Sequence, residues 1–257
     1  MGGLFHKLRH SRRCYLVCAV ARSGSNLLTD GLRETRRAGR PKQFFLPKYE
    51  REYATQCGLE VSDFAGYVRG IIPATATSNE VFGFKLMAWY LEEFLERLRA
   101  TGAFGGGSEG QDLAILGNAF PRLQFIQISR RNKVRQAVSR ARAAQTGLWK
   151  IQEGNAASGE PQFDPDLIAN CLEDARREEV IWSRFFARIG VQPFPIEYED
   201  LSENYEESIA AVLQFLKIRA PRRSYRRPVT IRQTDALSRE WEERFLALRA
   251  PNEFAIS

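Results

Sequence analysis

The stretch Cys14-Tyr15-Leu16-Val17-Cys18-Ala19-Val20-Ala21-Arg22-Ser23-Gly24-Ser25-Asn26-Leu27-Leu28-Thr29-Asp30-Gly31 is an apolar run that stops at a small, polar, arginine-led segment and restarts with helical spacing. It reads as a strand, a loop and a helix. Gly24 and its small neighbours let successive backbone N–H groups converge on an anion, and the following helix aims the positive end of its dipole at the same point. Arg22, Ser23, Ser25 and Asn26 add side-chain donors. A nucleoside-triphosphate loop would read G-x-x-x-x-G-K-[ST], with a lysine for the terminal phosphates and a hydroxyl for magnesium. The glycine spacing and that lysine are both missing, so the loop is read as a site for a phosphate ester held without a metal.

Outward from this segment the chain alternates strands and helices. A helix is expected over Leu27 to Arg37, closed by Gly39 and Pro41, then a short aromatic piece from Gln43 to Pro47 and a broken helix from Tyr49 to Ile72. Val81 to Met87 reads as a buried strand with a helix from Trp89 to Arg99 behind it, and Thr101 to Gln111 as a glycine-rich surface loop. Leu123 to Ser129 alternates as a strand does, and Asn132 to Gln145 is an arginine-rich helix. The stretch from Ile151 to Pro165 is a loop, followed by a long helix from Pro165 to Arg188, a strand from Phe194 to Tyr198 and a helix from Tyr205 to Leu216. This order predicts an α/β fold, a mostly parallel sheet with helices on both faces, in one domain over residues 1–257 with residues 1–12 a flexible basic tail. Ligands of such sheets bind beyond the carboxyl ends of the strands, where the Arg22 loop lies.

Composition narrows the classes of partner. The chain has 257 residues, 44% of them hydrophobic, a charged fraction of 27% and a net charge of +7, a balance that suits a small polyanionic ligand better than a nucleic-acid coat. The two histidines, His6 and His10, both lie in the basic tail, and Cys14, Cys18, Cys57 and Cys171 have no C-x-x-C spacing, so neither a zinc site nor a Cys/His nucleophile pair is expected. Scattered cysteines of this kind fit a reducing cytoplasm. The apolar stretch before Arg22 runs to only about seven residues and reads as a core strand, not a signal peptide. No apolar run approaches the roughly 18 residues of a membrane span.

A second strand-to-helix junction, Ile126-Gln127-Ile128-Ser129-Arg130-Arg131-Asn132, sends two arginines out of a strand end. Ser139 follows Arg131 by eight residues, about two helical turns, and so lies roughly on the same face. Such a set can grip a phosphate through bidentate guanidinium contacts and a hydroxyl. Taken alone, Arg130, Arg131, Lys133 and Arg135 also read as a solvated helix face. Two anion sites at two strand ends suit a nucleotide carrying phosphates at both ends of its ribose. Lys85 is a lone cation in an apolar strand and needs a partner, either a structural carboxylate or a ligand, because an unpaired buried ammonium is costly.

These residues resemble the sulfotransferase family. Arg22-Ser23-Gly24-Ser25-Asn26 looks like its phosphosulfate loop, and Arg131 through Ser139 looks like its motif for the 3'-phosphate of 3'-phosphoadenosine 5'-phosphosulfate (PAPS). Further segments are similar, in order, to the bacterial trehalose 2-sulfotransferase type. Gly39-Arg40-Pro41-Lys42-Gln43-Phe44-Phe45 resembles that type's Gly-Glu-Pro-Gln-Glu-Phe-Phe, Phe82-Gly83-Phe84-Lys85-Leu86-Met87 its Gly-Gly-Lys-Leu-Met strand, and Arg130 with Gln136-Ala137-Val138-Ser139 its Arg and Gln-Ala-Val-Ser. Ala143 to Trp149 and Arg232-Gln233-Thr234-Asp235 also have counterparts, and the likeness covers roughly residues 14–247.

The resemblance implies a P-loop-like fold and metal-free, in-line transfer of a sulfuryl group from PAPS to a hydroxyl of a carbohydrate or glycolipid-type acceptor. It also raises a homodimer as the state to test. Preorganised cations and N–H groups at the leaving phosphate do most of the work in such a loose transfer. On this reading Arg22, Ser23, Gly24, Ser25, Asn26, Arg130, Arg131, Ser139 and Arg232 bind the nucleotide, Lys85 stands at the bridging oxygen, and Phe44, Phe45 and Trp149 face the acceptor. Trp149 reads equally well as stacking on a sugar or adenine ring or as covering the core. The run Arg219 to Arg227, with five arginines, is either a solvated face or a further anion contact.

The chain departs from the pattern at the base. The glutamate expected to take the acceptor's proton is Gln43, and the first glutamate of the motif is Arg40. Losing a general base commonly lowers the rate by roughly 10²- to 10⁴-fold. Glu34, Glu50 or Glu52 could substitute, Gln43 could serve by orienting the hydroxyl alone, or the protein could bind nucleotide with little turnover. A kinase-type phosphotransferase, which shares the sheet topology, is the other alternative.

Overall fold

In a computed structural model, residues 12–105, 109–149, 159–220 and 236–253 are described. Strand β1 (Arg13–Ala19) leads into helix α1 (Ser25–Glu34), followed by α2 (Pro47–Cys57) and α3 (Phe64–Thr75). Strand β2 (Val81–Met87) precedes α4 (Leu91–Ala100) and α5 (Asp112–Ala119), and β3 (Gln124–Ser129) precedes α6 (Lys133–Thr146) and the long α7 (Pro165–Ile189). Strand β4 (Phe194–Glu197), α8 (Tyr198–Glu203), α9 (Tyr205–Phe215) and α10 (Ala236–Glu253) complete the described chain.

The sheet order is β2-β1-β3-β4 and every pairing is parallel. β1 is flanked on one side by β2, with Arg13 opposite Val81 and Ala19 opposite Met87, and on the other by β3, with Tyr15 opposite Gln124. The chain therefore leaves β1 for one side of the sheet and later returns to the other. That reversal opens a crevice at the carboxyl end of β1, which is where the Arg22 loop emerges. A strand buried on both faces must be apolar throughout, and Cys14 to Ala19 are all essentially inaccessible.

One face of the sheet is covered by an aromatic core in which Phe44, Phe45, Phe82, Phe84, Phe94 and Phe120 meet residues of α3, α4, α5 and α7. The other packs Tyr15, Val17, Ile126 and Ile128 against α1 and α9. A third cluster joins α6 to α10 through Val138, Ala141, Trp241 and Phe245. The close approach of β2 to β1 needs a glycine at position 83, because a Cβ there would lie 2.1 Å from the Tyr15 ring.

The expected α/β architecture with a parallel sheet is the one observed, and Val81–Met87 has the bounds read from the sequence. The broken helix from Tyr49 to Ile72 is two helices. Gly58 ends α2 in the left-handed conformation with φ +66°, and Asp63 caps α3 by accepting the Gly66 N–H at 2.9 Å. Helices α5, α8 and α10 had no counterpart in the sequence reading. Residues 1–11 and 151–158 lie outside the described residues, and with them all but the last residue of the expected tail and the first part of the expected loop.

Candidate active site

Val20 to Gly24 turn the chain from β1 into α1. The Ser23 N–H closes the turn on the Val20 carbonyl at 3.2 Å, and Arg22 takes φ +62°. Gly24 is the N-cap of α1 with φ +87°, a conformation that favours glycine, and a Cβ there would lie 2.4 Å from Cδ2 of Tyr198. Glycine at the cap supplies no side-chain acceptor, and the first turn of α1 carries no acidic residue. The amides of a first turn without a side-chain cap, and the positive end of the dipole, suit an external anion.

Three cations reach this turn. Lys85, on β2 and 5% exposed, donates to Asn26 Oδ1 at 2.6 Å and to Ser25 Oγ at 3.3 Å. Arg22 donates through Nε to Ser139 Oγ at 2.9 Å and through a terminal nitrogen to the Trp149 carbonyl at 2.7 Å. Arg130, also 5% exposed, reaches the Arg22 carbonyl at 3.4 Å and stacks its guanidinium 4.5 Å from the centre of the Tyr198 ring. Its Nε has no hydrogen-bond partner among the described residues and stands 4.0 Å from Glu199. Burial, and then the neighbouring charge of Arg130, push Arg22 down to about 10; burial likewise lowers Arg130, with Tyr198 and Glu199 opposing. An anion between the two guanidinium groups would relieve both effects. The hydroxyl of Ser23, fully buried, has no partner among the described residues.

The expected donor residues Arg22, Ser23, Gly24, Ser25, Asn26, Lys85, Arg130 and Ser139 thus lie around one turn. Arg131 does not join them. Its side chain is exposed and ion-paired with Glu197 and Asp200, the latter at 2.6 Å, which raises its pKa, while Glu199 accepts its backbone N–H at 2.9 Å and that of Asn132 at 3.2 Å. The arginine facing the loop is the preceding one. Arg232 and residues 221–227 of the arginine run lie outside the described residues. Trp149 is half-exposed and is tied to the site by its carbonyl.

The expectations for the acceptor side need correction. Phe44 and Phe45 are 2% and 0% exposed, packed stacked, tilted or edge-on against Phe82, Phe84, Phe94 and Phe120, so their rings belong to the core and not to a surface that an acceptor reaches. Glu50 is buried and held by both terminal nitrogens of Arg97 at 2.6 and 2.8 Å, which removes it as a substitute base. Glu34 closes α1 at the end opposite the loop, about 14 Å along the helix axis. Glu52 accepts from Gln56 on the exposed face of α2. Gln43 follows the bridge of Lys42 to Phe84 along the outer edge of β2, where the Lys85 N–H donates to the Lys42 carbonyl at 2.9 Å. The backbone therefore keeps Gln43 beside Lys85.

Sequence reasoning missed the side chains that hold the loop from below. Gln136 donates to the Ala21 carbonyl at 2.8 Å and Glu178 accepts the Ala21 N–H at 3.3 Å. Gln136 stood in the Gln136-Ala137-Val138-Ser139 segment without a role of its own, and the signal for Glu178 was an acidic residue one turn before Trp182 on an apolar face of α7.

Among the described residues there is no group of three or more His, Cys, Asp or Glu arranged to hold a metal, and no helix is long and apolar enough to cross a membrane. The chain is 30% identical over 265 residues to the trehalose 2-sulfotransferase of Mycobacterium tuberculosis, covering 91% of this chain and 95% of that protein. It is 32% identical over 255 residues to the trehalose 2-sulfotransferase of Mycolicibacterium smegmatis, covering 90% and 93%. The Stf0 sulphotransferase family matches residues 14–247, from the first strand that carries the anion turn to the helix that braces α6, and the chain belongs to that family.

Proposed function

We propose that this protein moves a sulfuryl group from PAPS to a hydroxyl of a carbohydrate or glycolipid-type acceptor, with trehalose the first acceptor to test because both relatives are named for it. The observation that carries the reading is the bare amino end of α1, ringed by Lys85, Arg22 and Arg130. When bound, the nucleotide supplies the sulfuryl group.

The protein's part is to hold and neutralise charge. Arg22 and the amides of Gly24, Ser25 and Asn26 suit the 5'-phosphate; Arg130 and Ser139 suit the 3'-phosphate. Lys85, fixed on strand β2 and not on a loop, offsets negative charge as it builds on the leaving oxygen. Ser25 and Asn26 help set the ammonium's position before any ligand arrives, so little reorganisation is needed during transfer. Gln43, beside Lys85, can orient an acceptor hydroxyl but cannot accept its proton. The transfer is loose, so the proton can leave late and to solvent.

Transfer of labelled sulfate from PAPS to trehalose and to a panel of glycans tests the reaction, and calorimetry with adenosine 3',5'-bisphosphate tests the site. Failure to bind the bisphosphate would sink the proposal, and magnesium-dependent ATP binding would favour a kinase. Gln43 favours one second reading, a nucleotide-binding protein with little turnover. Bisphosphate binding without transfer to any acceptor, together with activity gained in Gln43→Glu, would support it.

A further inference from the structure

Two helices distant in sequence hold the backbone that leads into Arg22. From α7, Trp182 donates through Nε1 to the Ala19 carbonyl at 3.1 Å, and Glu178, one turn earlier, accepts the Ala21 N–H at 3.3 Å. From α6, Gln136 donates to the Ala21 carbonyl at 2.8 Å. Arg140, one turn further along α6, donates to the second oxygen of Glu178 at 2.8 Å, and Asp174 pairs with Arg140 at 3.2 Å. Gln136, Glu178 and Trp182 are all buried.

A buried carboxylate next to an anion site works against the anion unless it is neutralised. Arg140 neutralises this one, and the remaining lone pairs of Glu178 fix a backbone donor. Packing alone would be served as well by an apolar side chain at that position. What Glu178 and Gln136 do that an apolar pair could not is set two consecutive peptide planes, those on either side of the Ala21 Cα. These planes determine the direction in which Arg22 leaves the strand, and Arg22 is held at φ +62°, a conformation that persists in a non-glycine residue only when its surroundings enforce it. Ser139 lies on α6 between Gln136 and Arg140 and receives the Arg22 side chain, so one helix fixes both the backbone and the head of this arginine.

We infer that Glu178 and Gln136 are positioning residues of the donor site, acting through the Ala21 peptides to present Arg22 and the following amides to a phosphate. This rests on the donor reading above. It concerns the nucleotide alone, so loss of the pair should move the donor and leave the acceptor.

The test compares adenosine 3',5'-bisphosphate binding by calorimetry, with thermal unfolding as a check of folding, in the full-length parent and four variants. Glu178→Ala is expected to weaken binding at least tenfold and to raise the KM for PAPS without changing that for the acceptor. Glu178→Gln keeps an oxygen for the Ala21 N–H and is expected to recover most of the affinity. Asp174→Asn, which removes the other partner of Arg140, is expected to stay within twofold of the parent. Gln136→Met, similar in length but with no N–H to donate, is expected to weaken binding at least fivefold and decides the matter if Glu178→Ala does not fold. A folded Glu178→Ala or, failing that, Gln136→Met that binds within twofold of the parent overturns the inference. A parent that does not bind the bisphosphate overturns the donor reading itself, and this inference with it.

Discussion

Helices α1 and α6 both begin at the carboxyl end of a strand, and their amino ends are treated in opposite ways. The end of α1 has glycine for a cap and no acid in its first turn. That of α6 is filled: Asn132 caps it by accepting the Arg135 N–H at 2.8 Å, and the Glu199 carboxylate lies across the amides of Arg131 and Asn132. Arginines follow the same division. Arg22 has neutral hydrogen-bond partners, whereas Arg131 is matched by Glu197 and Asp200. A helix end or guanidinium that already has its own carboxylate contributes little to a ligand. The two strand ends expected to hold one phosphate each are therefore unequal, and on the proposed donor reading a second phosphate would fall to the side chains of Arg130 and Ser139.

The largest effect should come from the ring around α1. Lys85→Ala is expected to lower kcat by roughly 10²- to 10³-fold, read in labelled-sulfate transfer, because a preorganised charge at the leaving oxygen is lost. Arg22→Ala and Arg130→Ala should each weaken adenosine bisphosphate binding roughly 10- to 100-fold by calorimetry, as the loss of a charge-assisted contact predicts. Unchanged affinity in both would erase the contrast between the two helix ends.

Smaller effects belong to the filled end. Burial tends to raise Glu199, but the amides of Arg131 and Asn132 overcome it and hold the carboxyl below its ordinary range. A depressed carboxylate stabilises the fold above its unfolded pKa, and that contribution is lost as pH falls through the folded value. Glu199→Gln should therefore lower stability by about 0.5–1 kcal/mol at neutral pH, and the gap should close in acid denaturation profiles below the ordinary glutamate range. Arg131→Ala should change bisphosphate affinity less than about threefold. A larger loss would mean that Arg131 leaves its acids for the nucleotide, and would bring the two ends closer together.

Much of this was legible because the information is local. A seven-residue apolar strand, an arginine-led turn and an apolar helix restart declare themselves within the segment from Cys14 to Gly31. The identity of the arginine that faces the turn did not. The sequence offers Arg130 and Arg131 together, but only Arg130 is turned inward at the end of β3, and three acids from β4 and α8 decide where its neighbour goes. Phe44 and Phe45 misled for a related reason. They adjoin Gln43 in sequence, yet the chain turns into α2 there, the Leu46 N–H donating to the Gln43 carbonyl at 3.3 Å, and both rings fall into the core. Helix α10 was silent because its anchors are remote: Glu242 binds Arg135 and Asn132, more than 100 positions away.

The Tyr198 ring fills the space a side chain at position 24 would need, and the Arg130 guanidinium stacks on it. The turn, the end of β3 and the start of α8 are therefore one mechanical unit. Across related sequences, a side chain can enter at position 24 only with a smaller residue at 198, and that exchange would also strip Arg130 of its aromatic support. Positions 24, 130 and 198 should drift together or not at all, which makes this triplet a marker for telling relatives that keep this donor site from those that have rebuilt it.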